Sequence, residues 1–186
     1  MNFTLTWDLF IIVFFALVVT YTFIIGKKES VKIIISSYIA IVAVQGLGNV
    51  LMRGMGLLTK YVGTFGYVLD AGTLSWIKLA LFIAIIVFLA VRAGFDISYT
   101  KEPGAIVNTA LTGLLGFATA GLLLSTLLTH IAGVPLLDMS FATTSAATLS
   151  PIIQQSQLMQ IMILQQDLWF LLPALVLIAA GFFQNQ

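Results

Sequence analysis

Ala105, Asn108, Thr112, Gly116, Thr119, Leu123, Thr126 and His130 fall on one stripe when the apolar segment 105–131 is wound at about 100° per residue, with Thr109, Gly113 and Ala120 beside them. Leu111, Leu114, Phe117, Leu122, Leu124 and Leu128 take most of the remaining surface. In an apolar setting, small and hydroxyl side chains at this spacing serve one of two ends. They let a neighbouring backbone approach closely, with interhelical hydrogen bonds worth about 0.6 kcal/mol each, or they present hydroxyls to solutes in a pore. The stripe carries no deep charge, which an ion pathway often requires. A second polar set, Ser37, Gln45 and Gly48 with Tyr38 and Asn49 at its edge, occurs in segment 33–51. A buried amide such as that of Gln45 needs partners in hydrocarbon, so the two segments are expected to pack together or to meet around a shared polar cavity.

Catalysis and metal binding find little material. His130 is the single histidine, and a zinc site takes three or four protein ligands, of which Asp138 supplies only one. His130 is read as a histidine at the membrane surface. Asp8 and Asp167 each adjoin a tryptophan at a helix start, where a carboxylate favours the positive end of the dipole. Lys78 is placed to snorkel or to pair with Asp70. No GxSxG elbow or base-and-orienter set accompanies the serines and threonines, and the GMG and GTFG pieces lack the lysine and flanking strand of a phosphate cradle. The chain is read as non-enzymatic, with no cofactor and no metal.

The elements that must hold these residues are membrane helices. Hydrophobic residues make up 60% of the chain and charged ones 8%, against roughly 25% charged in a soluble domain. The expected fold is all-α, a polytopic transmembrane helical bundle forming one integral membrane domain over 1–186. It has four or five spanning helices, at 9–25, 33–51, 75–91, 105–131 and 168–183. The fourth is nearer 40 Å than 30 Å at about 1.5 Å per residue, so it must tilt, kink or protrude. The fifth is short and carries Pro173 near its start, with an interfacial helix as the alternative. Ser150-Pro151 reads as a cap and first helical residue, opening a helix over 151–166 whose placement stays open. The glycine-rich stretch 52–72 reads as an outer loop, flexible or re-entrant. Continuous apolar runs argue against a barrel, whose strands alternate, and the first run lacks the basic start and small-residue cleavage site of a signal peptide.

Charge distribution sets an orientation. Lys27, Lys28 and Lys32 follow the first span, and Arg92 and Lys101 follow the third; Arg53, Lys60 and Lys78 belong to the opposite side. The positive-inside rule places the first group in the cytoplasm and the amino terminus outside. Trp7, Trp76 and Trp169 then fall at outer helix ends, where indoles favour the headgroup layer. Zero cysteines exclude disulfides and thiolate metal sites, and a net charge of +1 offers nothing to nucleic acid.

The opening WDLFIIVFFALVVTYTFIIGKKESVKIIISSYIAIVA resembles the start of the colicin V production protein family, with an acidic residue entering the first helix, a glycine and basic pair ending it, and the second helix following at once. NTALTGLLGFATAGLLLSTLL is similar to that family's glycine-spaced fourth helix, with Gly113 and Gly116 as its first two glycines, Thr119 where a third is expected, and Gly121 displaced. KKES replaces a more arginine-rich turn, and a fifth span would add to a four-helix core. The resemblance implies a bacterial inner-membrane accessory of peptide-toxin production or export, or of envelope maintenance, with no catalytic residues to transfer. A small channel using the 105–131 stripe and a small transmembrane subunit of a larger complex are the alternatives. The partners expected are the lipid bilayer and other membrane proteins or further copies of the chain.

Overall fold

The computed structural model describes residues 7–61, 71–92, 104–132, 136 and 156–182, all of the regular structure among them α-helical. Sequence expectations that fall on Gly63, Gly66, Asp70, Lys101, Asp138 and Ser150-Pro151 lie outside these residues. The first element, α1 (Trp7–Tyr61), is interrupted at Gly26, whose φ of 81° and ψ of 173° leave the helical region. That backbone conformation is essentially open only to glycine. The Trp7–Val50 stretch is apolar over 44 residues, about twice what one crossing requires. We call the arms on either side of the break α1a (7–25) and α1b (27–61).

The packing shows that the break is a reversal. Along α1a, Phe23 meets Gly113, Thr22 meets Gly116, and Ile11 clusters with Leu124 and Leu128. Along α1b, Val31 and Ile34 cluster with Leu111 and Leu115, and Ile41 and Val44 with Leu122. The arms therefore run in opposite directions against one helix, α3 (Ala105–Ala132). The connection expected between the spans 9–25 and 33–51 is a single non-helical residue, Gly26, and the Ser30 hydroxyl donates to its carbonyl at 2.8 Å. Lys32 and Glu29 pair at 2.8 Å one turn into α1b.

The stretch expected to be a loop from residue 52 is helical to Tyr61. MRGMGLLTKY contains no proline, and its Leu, Met, Arg and Lys are good helix formers that outweigh two glycines. The chain returns as α2 (Ala71–Arg92), antiparallel to α1b, with Lys78 over Gly48 and Phe82 in the cluster of Ile41 and Val44.

Two shorter helices complete the described chain. Ser156 caps α4 (Gln157–Leu164), its Oγ accepting from the Met159 N–H at 3.0 Å, as a cap serine does. After Gln165, α5 (Gln166–Phe182) leaves at 68° to α4. It descends along α3, with Phe170 near Leu122 and Val176 and Ala180 near Leu111 and Leu115. Pro173 is buried inside α5 and has no N–H to give the Trp169 carbonyl. The Tyr38 hydroxyl of α1b donates to the adjacent carbonyl of Phe170, a neighbouring helix serving backbone beside a proline.

In the most apolar 18-residue stretch of α3, 72% of residues are buried, against 11% in α2. The central helix is thus α3, with the others around it. By length and composition three helices are able to cross a membrane, or four if the bent α4–α5 pair forms one span.

Gly26→Ala should destabilise the protein by about 1–3 kcal/mol, the usual strain of such a backbone position. Gly46→Ala, a helical site with nothing within 4 Å of the added carbon, should be neutral or stabilising. Thermal unfolding of both variants in the same detergent checks the difference.

Candidate functional site

The 105–131 stripe is the natural place to look for a function. Thr112, Gly116, Thr119, Thr126 and His130 are buried, Asn108 and Gly113 are half-buried, and Ala105 is exposed. The leucines assigned to the opposite side do not form a lipid face. Leu111, Leu122, Leu124 and Leu128 are buried as well, and only Leu114 and Phe117 look outward. A contrast between the faces is present over 111–117, where Thr112 and Gly116 are buried and Leu114 and Phe117 exposed; 105–110 are exposed apart from half-buried Asn108, and from Ala118 to His130 every residue is buried or half-buried.

The hydroxyls turn inward on their own helix. Thr112 donates to Asn108 O at 2.8 Å, Thr119 to Leu115 O at 2.7 Å, Thr126 to Leu122 O at 2.8 Å and Thr129 to Ser125 O at 2.6 Å. Interhelical hydrogen bonds come from elsewhere, as from Ser125, whose Oγ donates to Met162 O of α4 at 3.0 Å. Each of these threonines is satisfied locally, so burial leaves none of their hydroxyls unpaired.

The glycines are points of close approach. A Cβ on Gly116 would stand 3.0 Å from Thr22 Cβ, one on Gly113 would stand 3.3 Å from Phe23, and one on Gly121 would overlap the Trp169 ring at Cε3 and Cζ3. Gly113 and Gly116 therefore face α1a, while the 33–51 segment packs on α3 through Ile34 beside Leu111 and Leu115 and through Ile41 and Val44 beside Leu122. Gly48 faces α2 instead, under the Lys78 side chain; Gln45 is half-buried and Asn49 is exposed. Gly121, which the family comparison treats as displaced, holds the tightest seat.

Three single residues sit differently from their sequence readings. His130 is 7% exposed, with Nδ1 2.8 Å from Thr126 O and its ring stacked on Phe82 at 5.8 Å; it is enclosed by α2, not displayed at a surface. Trp169 packs on Gly121, about 16 Å along α3 from Ala132. Its ring contacts Phe15 and Phe117 there, each at 5.8 Å. Asp8 does more than favour its own helix: Oδ1 accepts from the Ser156 hydroxyl and from Leu158 N at 3.2 Å. No local pattern around Asp8 announces a partner about 150 residues away, so sequence reasoning had no signal for it.

No protein-family model matches the chain, and no curated protein or solved structure matches it. Function is therefore argued from the bundle's own geometry. Among the described residues no group of three or more His, Asp or Glu is placed to hold a metal ion. The described residues also leave three buried polar atoms without a partner: Ser36 Oγ, Gln166 Oε1 and Trp169 Nε1.

Gly121→Ala should cost about 1–3 kcal/mol through overpacking, because Trp169 is wedged against Phe15 and Phe117. Gly48→Ala should be mild, because the atom it meets is the flexible end of Lys78. Melting temperatures of the two variants in one detergent test this ranking.

Asp8→Ala should loosen α4 from α1a by about 1 kcal/mol, the usual worth of a cap. Met159→Cys, buried on α4 in a chain with no native cysteine, should then react faster with a thiol reagent in the Asp8→Ala background than in its absence. Equal rates would show that the carboxylate does not hold α4.

Proposed function

We propose that this protein is a non-enzymatic, multi-pass accessory of the bacterial inner membrane, acting in peptide-toxin production or export or in envelope maintenance. The biological setting comes from the resemblance of the opening segment and of α3 to colicin V production proteins. The molecular reading rests on one observation: α3 is enclosed along its outer half while its hydroxyls bond to its own carbonyls. A solute path along the stripe requires hydroxyls turned to a lumen. This arrangement favours a packed scaffold over the channel reading.

In this proposal five elements cross the bilayer: α1a, α1b, α2, α3 and the bent α4–α5 pair. The Gly26 reversal, with Lys27, Lys28 and Lys32, lies at the same end of the bundle as Arg92 and the start of α3. That clustering supports a cytoplasmic placement of this end under the positive-inside rule, with the amino terminus outside. Partners are the bilayer and other membrane proteins or further copies of the chain.

Purified protein in liposomes should leave an imposed ion gradient intact. A flux abolished by Thr119→Leu in a folded variant would replace the accessory reading with the channel one. For orientation, single cysteines at Lys28 and Arg53 are distinguished by a membrane-impermeant thiol reagent: Arg53→Cys should label on the outer side and Lys28→Cys should not. Labelling of position 28 alone would invert the topology.

A further inference from the structure

The 68° bend between α4 and α5 has no cause in the residues that form it. Sharp kinks arise at proline, at glycine or serine, at a bulge, or where a side chain enters the backbone ladder. Residues 157–172 contain no glycine, serine or proline, and their Leu, Met and Gln are good helix formers. Pro173 lies inside α5, which continues through it. A side chain does enter the ladder: the Ser125 hydroxyl of α3 donates to Met162 O at 3.0 Å, the carbonyl that an unbroken helix assigns to the Gln166 N–H. Next to it Leu168 N donates to Gln165 O at 3.1 Å, where an unbroken helix would use Leu164 O.

A second tie holds the other end of α4. The Asp8 carboxylate accepts from the Ser156 hydroxyl and from Leu158 N at 3.2 Å, so α4 is fastened to α1a at its start and to α3 near its end. Beside the bend, Gln166 Oε1 and Trp169 Nε1 are buried without partners. The bent form thus satisfies its two ties while leaving polar groups at the hinge unpaired and opposing the local helical preference. Met159, Met162 and Ile163 also pack with Ile11, Leu124 and Leu128. Lipid tails are as apolar as a neighbouring helix, so in the membrane placement proposed above, on which this inference rests, moving those side chains into hydrocarbon loses only packing. We infer that 157–182 is a latched element: bent while Asp8 and Ser125 hold α4, and one continuous helix about 39 Å long when both are released. Straightening withdraws α4 from Ile11, Leu124 and Leu128 and uncovers that part of α1a and α3.

The start of α4 lies about 12 Å from the bend and moves about 13 Å when the element straightens. Nitroxide pairs on introduced cysteines report this in a chain that has none of its own. Leu9→Cys with Gln157→Cys reads detachment from α1a, and Gln157→Cys with Leu175→Cys reads the shape of the element, all three positions being exposed. In nanodiscs the protein with both ties should give a short first distance and a backbone separation of about 22 Å for the second. Asp8→Ala and Ser125→Ala together should lengthen the first by up to about 13 Å and the second to about 27 Å in one narrow distribution. Each single substitution, which keeps one tie, should show both populations. A pair at Ile24 and Val91, away from α4, should stay unchanged; if it shifts in the double variant, the single substitutions decide. Distances that none of these substitutions alters, or a broad Gln157–Leu175 distribution that marks a frayed α4, overturn the proposal. The membrane placement is read separately from the label at Leu175, which is 54% exposed on α5. Oxygen, concentrated in hydrocarbon, should relax that label more than a water-soluble nickel chelate does, and the opposite order removes the placement whichever shape the element takes.

Discussion

Enclosure of one helix, α3, by its neighbours governs this bundle. A buried polar group is costly unless the protein supplies its partner, and among the described residues only Ser36 Oγ, Gln166 Oε1 and Trp169 Nε1 go without one. For α3 the least demanding solution is the one adopted, in which each buried threonine donates to the carbonyl four residues earlier. With the threonine hydroxyls occupied, α3 beyond Ala118 meets its neighbours mostly through apolar and glycine surfaces, apart from the Ser125 hydroxyl on Met162 O and the His130 ring on Phe82. Packing then proceeds by shape, and the glycines at 113, 116 and 121 set how near Phe23, Thr22 and Trp169 can come.

Helix type and approximate extent were legible because long apolar runs broken by charge have few other solutions in an amphipathic chain. The stripe on α3 was legible for the same reason, as a matter of 3.6-residue spacing. Its meaning was not, since spacing says which residues share a face and nothing about how many faces are covered. A helix in the middle of a bundle buries leucines and threonines alike, so Leu122 and Leu128 are as enclosed as Thr119 and Thr126. The Gly26 reversal was read as a turn but its tightness was hidden, because one residue at φ 81° does what loops usually need several residues to do.

The end of the bundle opposite the Gly26 reversal depends on contacts between residues far apart in the chain. Asp8, in the first turn of α1a, receives the Ser156 hydroxyl and the Leu158 N–H at the start of α4. Ser125 of α3 reaches Met162 near the other end of the same short helix. An eight-residue helix has little stability of its own, so these two polar ties and the Ile11, Met159 and Met162 cluster fix where α4 lies. The strong angle between α4 and α5 then follows from tertiary contacts. That is why the sequence around 151–166, with glutamines on every side and no clean amphipathic face, gave no hint of it.

Glycine in this chain does three separate jobs, and a glycine-spacing motif conflates them. At Gly26 the backbone conformation itself excludes a side chain; at Gly116 and Gly121 a neighbouring side chain occupies the space a Cβ would take. At Gly48 the neighbour is the Lys78 stem, with Cε 2.5 Å and Nζ 3.2 Å from the position of an added Cβ. The Lys78 side chain, rooted about 10 Å into α2, lies on the bare backbone surface that Gly48 offers on α1b. The requirement at 48 is thus set by a flexible charged chain and at 121 by a wedged indole. Identical residues therefore differ in how much they constrain the fold, according to what approaches them.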